Sequence, residues 1–214
     1  KFVEGLRVTD KDTIKVVEDV LANDINTEIV KSISESGGKA VGLNGNKNTL
    51  LSVTKLELEV KDSDSNIEKL IDIGFVGQPT KVNINLINSH IKKGEIPVIA
   101  PIGVDDEGNS YNINADTAAG FIAGELKASK LLLLTDVPGI LDRDNKLISS
   151  LTLDDASKII DEDFIVGGMK PKILTCVEAM KKGVNKTTIL DGRIPHSVVL
   201  ELFTEHGIGT QIYS

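Results

Sequence analysis

The stretch NSYNINADTAAGFIAGELKASKLLLLTDVPGIL, residues 109–141, decides the fold that we expect for this chain. It begins with a short polar strand at residues 110–114, after which Asp116 opens an Ala- and Gly-rich helix over residues 117–127. The apolar run at residues 130–135 is too short for a helix and ends in a turn, so it predicts a buried parallel strand. The stretch is therefore a strand–helix–strand unit.

Polar side chains collect where the first of these strands meets the helix. Because side chains alternate along a strand, Asn112 and Asn114 are expected to point the same way. Asp116 stands where a helix cap is expected, and helix N-termini favour anions. Ligands of open α/β sheets bind at the carboxyl ends of strands, so the three residues predict a ligand site. The same pattern is also that of a capping Asp that follows turn-forming Asn residues.

Composition and charge limit the classes of partner. The chain has 214 residues and a formal charge of −8, which argues against nucleic acid or an anionic membrane surface as the main partner. No apolar run approaches the length that spans a bilayer, and no signal peptide is visible. Cys176 is the one cysteine, so no internal disulfide can form, and we expect a cytoplasmic protein.

Strands and helices alternate along the rest of the chain. Helices are expected from a cap at Thr9 and Asp10, and over residues 27–34, 83–93, 153–160, 171–182 and 195–205. Short strands are expected at residues 40–43, 96–101, 187–190 and 210–213. The alternating segment TKLELEVK predicts an antiparallel ribbon with residues 73–76, followed by a turn at residues 77–80. This order predicts an α/β fold with a mostly parallel sheet in three layers.

Charged residues outside the central stretch give weaker signals. Lys170 and Lys172 follow two glycines at the start of a helix, which indicates a loop that brings positive charge to an anion; two solvated lysines give the same pattern. Arg7 can bind a carboxylate with its bidentate fork, or it can be an exposed or salt-bridged surface residue. None of the three histidines has metal-ligand spacing, and we predict no protein-held metal. They are His90, His196 and His206.

Several segments, in order and at matching intervals, resemble the amino acid kinase family, and within it the branch that acts on N-acetyl-L-glutamate. They are GLRVTD, GVDDEGNSYNINADTAA, LLLLTDVPGIL, GGMKPK and ILDGRIPHSVVLELFTEHGIGT. The resemblance implies a three-layer α/β/α sandwich with a β-ribbon lid. It further implies phosphorylation of the substrate's γ-carboxylate by ATP with Mg²⁺ in arginine biosynthesis, and a homodimer or larger homo-oligomer.

The resemblance also implies roles for individual residues. Arg7 would hold the substrate α-carboxylate, and Asn112 would bind the substrate, with Asn114 beside it in the same motif. Asp116 would organise the catalytic lysines. Lys172 would stabilise the phosphoryl group in transfer.

A second set of residues would form the nucleotide pocket by the same resemblance. One group follows the central apolar strand, and the other precedes the helix of Lys172: Thr135, Asp136, Val137, Pro138, Gly139 and Ile140, and Phe164, Ile165, Val166, Gly167, Gly168 and Met169. The ribbon at residues 54–76 would belong to a lid over the amino-acid site. We expect one domain over residues 1–214, with a substrate half at residues 1–104 and a nucleotide half at residues 105–214.

Two family features are not found in the sequence, namely an N-terminal strand with the pattern KxGG and a later GGG loop. We therefore expect an N-terminally incomplete domain. It would be inactive if the molecule consists of this sequence alone, and a normal enzyme if a preceding segment completes it. One alternative is a related kinase that acts on aspartate, glutamate, carbamate, UMP or an aminoadipate derivative. Another is an inactive module that binds an amino acid and has a regulatory role.

Overall fold

The computed structural model describes residues 2–3, 6–45, 49–61, 68–205 and 207–214. The chain divides into two compact units, Lys1–Ala118 and Ala119–Ser214. Strands alternate with helices in both units and most neighbouring strands joined by a crossover are parallel, so the predicted α/β class is confirmed. The assignment of a substrate half and a nucleotide half stays a prediction. None of the helices in the described ranges is long and apolar enough to span a membrane.

The first unit contains a long helical region near its start. Helix α1 (Lys11–Glu18) is capped by Asp10, whose carboxylate accepts the backbone N–H of Thr13 at 2.8 Å. A π-helical segment, Asp19–Ile25, then leads directly into α2 (Asn26–Glu35). The second helix was expected at residues 27–34 as a separate element. It begins earlier because the wider π turn keeps the chain helical and no cap interrupts it.

Among the described residues, two further helices belong to this unit in whole or in part. Helix α3 (Ile84–Lys92) is capped by Asn83, whose side chain accepts the backbone N–H of Leu86 at 3.1 Å. Helix α4 (Ala115–Leu126) starts in the first unit and ends in the second.

The strands described for the first unit form three small groups. They are β1 (Phe2–Val3), β2 (Leu6–Arg7), β3 (Ala40–Leu43), β4 (Leu51–Lys61), β5 (Glu68–Val82), β6 (Ile96–Ile99), β7 (Ile102–Val104) and β8 (Ser110–Asn112). Strands β1 and β2 pair antiparallel, and β3 and β6 pair parallel. Strands β4, β5, β8 and β7 pair in a closed ring, in which β4 and β5 are the predicted antiparallel ribbon.

Strand β5 is much longer than the four residues expected for it. The predicted turn at residues 77–80 is wrong, because these residues continue the strand. Pro79 pairs with Val53 beside a register shift, where the ladder is irregular and a missing backbone N–H is tolerated. Gly77 fits because a Cβ there would lie 2.9 Å from the Cβ of Tyr111. The tip of the ribbon, residues 62–67, lies outside the described residues.

The second unit contains one four-stranded sheet. Its strands are β9 (Lys130–Thr135), β10 (Ser150–Thr152), β11 (Lys186–Asp191) and β12 (Thr210–Tyr213), in the order β10-β12-β11-β9. Strand β9 runs parallel to β11 as predicted, and β12 runs antiparallel to β11. The other helices of the unit are α5 (Leu153–Ile159), α6 (Met169–Lys181) and α7 (Ser197–Phe203).

An aliphatic core covers this sheet. Alternate residues of β9, Leu131 and Leu133, are buried in it, while Leu134 is 48% exposed, so the strand is buried on one face rather than on both. Helix α6 contributes Ile173 and Cys176, both fully buried. The carboxyl ends of β9 and β11 are in register, because Thr135 pairs with Asp191.

Candidate active site

A cleft of about 360 Å³ opens at the carboxyl end of β9 in the second unit. This is the edge where ligands bind in parallel α/β sheets. Three segments line the cleft: the loop that follows β9, the turn behind that loop, and the segment that leads into α6. Lys172, in the first turn of α6, is also part of the lining.

The loop that follows β9 is anchored from behind. The backbone N–H of Ile140 donates a hydrogen bond to Oγ1 of Thr210 at 2.8 Å, and both residues are fully buried. Gly139 has a φ of 150°, and a Cβ there would lie 2.6 Å from the same hydroxyl oxygen. The hydrogen bond and the missing Cβ together let the loop pass close to β12 and then turn out toward the cleft.

The turn behind this loop is held by one carboxylate. Oδ1 of Asp142 accepts the backbone N–H groups of Asp144 and Lys146, each at 2.9 Å. Asn145, which lines the cleft, has a φ of 61°, a conformation that Asn tolerates better than most residues. The turn is therefore closed by its own hydrogen bonds and presents a fixed wall.

The opposite wall precedes α6. Ile165 is buried in the core, and its N–H donates to the carbonyl of Glu162 at 3.1 Å. The neighbouring Val166 lines the cleft and is 69% exposed. An apolar side chain that is held open beside polar loops is a surface on which a flat, apolar ligand group can lie.

Lys172 is half-buried at the start of α6, behind Gly167 and Gly168 as predicted. Gly168 provides no side-chain cap. The helix N-terminus and the ammonium group both carry positive charge, and both favour an anion in front of them. Lys170 is exposed and is not part of the cleft lining.

The cleft brings together most of the residues that were predicted for a nucleotide pocket. These are Thr135, Asp136, Val137, Gly139, Phe164, Ile165, Val166, Gly168 and Met169. Pro138, Ile140 and Gly167 do not line it. The prediction missed the turn that follows, which adds Leu141, Asp142, Arg143 and Asn145. Their position directly after the predicted segment is the signal that could have extended it.

A charged pair lies beside the cleft at the end of β11. Arg193 donates to Asp191 through Nε at 3.0 Å and Nη2 at 2.8 Å, and its backbone N–H adds a bond of 2.9 Å. These hydrogen bonds lower the pKa of Asp191 to about 2. The N–H of Gly192 donates to the carbonyl of Thr135 at 2.8 Å, which ties the pair to the cleft loop. No role was predicted for this pair.

In the first unit, two of the predicted substrate residues lie on segments that meet the same part of β5. Arg7 is exposed, and two residues further on Thr9 exchanges backbone hydrogen bonds with β5 around Gly74. Asn112 is half-buried and pairs with Val76. The segments that carry Arg7 and Asn112 are therefore fixed within a few residues of each other on one strand.

The helix cap differs from the prediction. Oδ1 of Asn114 accepts the backbone N–H of Thr117 at 3.1 Å, so Asn114 is the cap and the prediction that Asp116 caps the helix is wrong. Strand β8 ends at Asn112, so the expectation that Asn112 and Asn114 share one strand face also fails. The chain leaves the strand early because Asn114 can cap the helix two residues sooner. Asp116 is half-buried in the first helical turn, where a carboxylate is favourable.

In the part of the chain that the structure describes, no three His, Cys, Asp or Glu side chains come close enough together to hold a metal ion.

The chain belongs to the amino acid kinase family, whose sequence profile matches residues 1–191. It is 52% identical to the acetylglutamate kinase of Rhodospirillum centenum over 99% of this chain and 70% of that protein. It is 51% identical to the acetylglutamate kinase of Nitrobacter hamburgensis, over 100% of this chain and 72% of that protein. Among solved structures, it resembles N-acetylglutamate synthase from Neisseria gonorrhoeae in complex with coenzyme A and N-acetyl-glutamate. That match has a TM-score of 0.83 and 26% identity, and covers all of this chain and 46% of the other.

Proposed function

We propose that this chain transfers the γ-phosphoryl group of ATP to the γ-carboxylate of N-acetyl-L-glutamate, a step of arginine biosynthesis. The observation that carries the proposal is the identity of 51–52% with acetylglutamate kinases over nearly the whole chain. The geometry of the second unit supports it independently, since a cleft with an apolar wall and a lysine at a helix N-terminus suits a nucleotide.

ATP is the proposed occupant of the cleft at the end of β9. Its base would lie against the apolar wall formed by Ile165, Val166 and Met169. Its phosphates would face Lys172 and the N-terminus of α6, because these are the positive groups of the lining at that end. Mg²⁺ would enter with ATP, held mainly by the phosphate oxygens, as is usual for this ion.

Charge stabilisation is the main task in phosphoryl transfer. The γ-phosphoryl group carries charge on its three equatorial oxygens in the transition state, and positioned cations lower the barrier. Lys172 is the proposed group for this role. A carboxylate nucleophile is already ionised at neutral pH, so the reaction needs no general base and no histidine.

The amino-acid substrate is assigned to residues of the first unit. Arg7 would bind the α-carboxylate through a bidentate, charge-assisted contact, and Asn112 would donate amide N–H groups to the substrate. Asn114 would act indirectly by holding the start of α4, and Asp116 would organise the catalytic lysines. The ribbon formed by β4 and β5 is the proposed lid.

Several broader properties belong to the same proposal. The protein is assigned to the cytoplasm, because it has one cysteine and an ordinary soluble composition. A homodimer or larger homo-oligomer is proposed. The net charge of −8 on each chain is unfavourable for binding nucleic acid or an anionic membrane, so small molecules are the proposed ligands.

A substrate panel tests the function. The complete gene product is supplied with MgATP, and ADP release is coupled to NADH oxidation in the presence of N-acetyl-L-glutamate, glutamate, aspartate, carbamate, UMP or an aminoadipate derivative. We expect N-acetyl-L-glutamate to give the highest kcat/KM. Faster turnover of another acceptor would assign the chain to a related kinase. Binding of an amino acid without turnover of any acceptor would indicate a regulatory module.

A further inference from the structure

Arg143 connects the two walls of the cleft. It lies in the turn behind the β9 loop, and its Nη2 donates to Oε2 of Glu162 at 2.8 Å and to Oδ1 of Asp163 at 3.2 Å. Its guanidinium carbon lies 5.6 Å from the centre of the Phe164 ring, within cation–π range. We call Arg143 and these three partners the Arg143 clip.

Each wall has its own anchor on the sheet or the core. The first is fixed through the buried hydrogen bond from Ile140 to Thr210, and its turn is closed by Asp142. The second is fixed by Ile165 in the core. These anchors hold the base of each wall, and the clip joins the walls near the mouth of the cleft, since Arg143 is 67% exposed.

We propose that Arg143 is a positioning residue for the nucleotide, and that the clip sets nucleotide affinity by holding the two walls at the spacing that a bound nucleotide needs. The inference rests on the proposed function of the cleft. A wall that moves freely must be ordered when the ligand binds, which weakens binding, whereas a wall that is already held does not carry this cost.

A competing role for Arg143 is direct contact with a phosphate. Two carboxylates and an aromatic ring already surround the guanidinium, which favours the role of a tie between segments over that of a ligand group. The two roles predict opposite effects of removing the carboxylates. If Arg143 is a tie, removing the carboxylates breaks the tie and the affinity for the nucleotide falls. If Arg143 binds a phosphate, removing them frees the guanidinium and the affinity for the nucleotide rises.

The expected size of the effect is modest because the clip is exposed. Two exposed ion pairs and one cation–π contact together correspond to about a three- to tenfold change in an equilibrium constant. We therefore expect Arg143→Ala to raise the KM for ATP about three- to tenfold, with kcat at saturating ATP within about twofold of the parent.

The experiment compares four variants of the complete gene product, in kinetics and in titrations with a fluorescent ATP analogue. The variants are Arg143→Ala, Glu162→Gln combined with Asp163→Asn, the triple variant that combines all three changes, and Lys146→Ala. The first three are all expected to weaken nucleotide binding because each removes the two ion pairs of the clip, and the two variants that contain Arg143→Ala also remove the contact with Phe164. Lys146 is an exposed cation of the same turn and is not part of the cleft lining, so Lys146→Ala controls for net charge and should bind as the parent does.

The outcomes separate this inference from the proposed function. An unchanged KM in Arg143→Ala, or tighter binding in the doubly neutralised variant, would overturn the inference in an enzyme that still phosphorylates its substrate. A parent protein that neither binds the analogue nor turns over ATP would overturn both. If Arg143→Ala does not fold, Glu162→Gln with Asp163→Asn tests the same tie, because it leaves the guanidinium in place.

Discussion

Replacement of Thr210 by Val removes the hydroxyl that anchors the cleft loop and changes the side-chain shape very little. Oγ1 of Thr210 accepts the N–H of Ile140 at 2.8 Å, and both residues are 0% exposed. A buried N–H without a partner costs about 1–3 kcal/mol. We therefore expect Thr210→Val to lower the free energy of unfolding by about this amount, which corresponds to a Tm lower by roughly 2–12 °C in a protein of this size.

A matched control is present on the neighbouring strand. Thr187 is also fully buried, and its hydroxyl donates only a weak bond to Sδ of Met180 at 3.7 Å. Thr187→Val leaves no backbone donor unpaired and should cost less than about 1 kcal/mol. Urea unfolding followed by far-UV circular dichroism measures both variants, and the KM for ATP should rise only in Thr210→Val. Equal destabilisation by the two substitutions would refute the anchoring role of Thr210.

Further predictions concern the catalytic residues, the substrate segment and acid stability. Lys172→Ala should lower kcat by about 10²–10³-fold with little change in the KM for ATP, as measured by steady-state kinetics. Arg7→Ala should raise the KM for N-acetyl-L-glutamate by about 10–100-fold, since it removes charge-assisted hydrogen bonds, and a normal KM would reject this role. Gly74 and Gly94 both have positive φ, but a Cβ at Gly74 would lie 2.1 Å from a backbone carbonyl oxygen, and one at Gly94 would meet open space. Gly74→Ala should therefore destabilise the protein well beyond the roughly 1 kcal/mol expected for Gly94→Ala and should raise the KM for the amino acid. The pKa of Asp191 is lowered to about 2 by its arginine partner, so its contribution to stability is present above about pH 4 and is lost as the pH falls toward 2. Unfolding curves across that pH range should show this loss of stability, and the loss should be smaller in Asp191→Asn.

Local signals were sufficient for much of the second unit. The predicted bounds of β9 and β12 agree with the observed ones, and the helix expected from residue 153 begins there, capped by Thr152, whose Oγ1 accepts the N–H of Asp155 at 3.1 Å. In these segments, alternation, caps and flanking turns agree with the tertiary structure. The prediction then depends only on residues that are close together in sequence.

Other features depended on contacts that the sequence does not display. Gly77 and Pro79 usually end a strand, but in β5 each lies beside a register shift that only the pairing with β4 creates. Arg143 was missed because its partners are 19 and 20 residues away in the chain. Asn114 and Asp116 are both good capping residues, so their types alone could not decide where α4 begins.

In the proposed reaction, the γ-carboxylate of N-acetyl-L-glutamate accepts the phosphoryl group of ATP. Acyl phosphates react with hydroxylamine to give stable hydroxamates, so the product can be trapped and identified by mass spectrometry in a reaction of the complete gene product with MgATP. We expect a γ-hydroxamate of N-acetyl-L-glutamate that forms in step with ADP and is nearly absent in Lys172→Ala. ADP formed without hydroxamate, or hydroxamate formed equally well by Lys172→Ala, would contradict the proposed reaction.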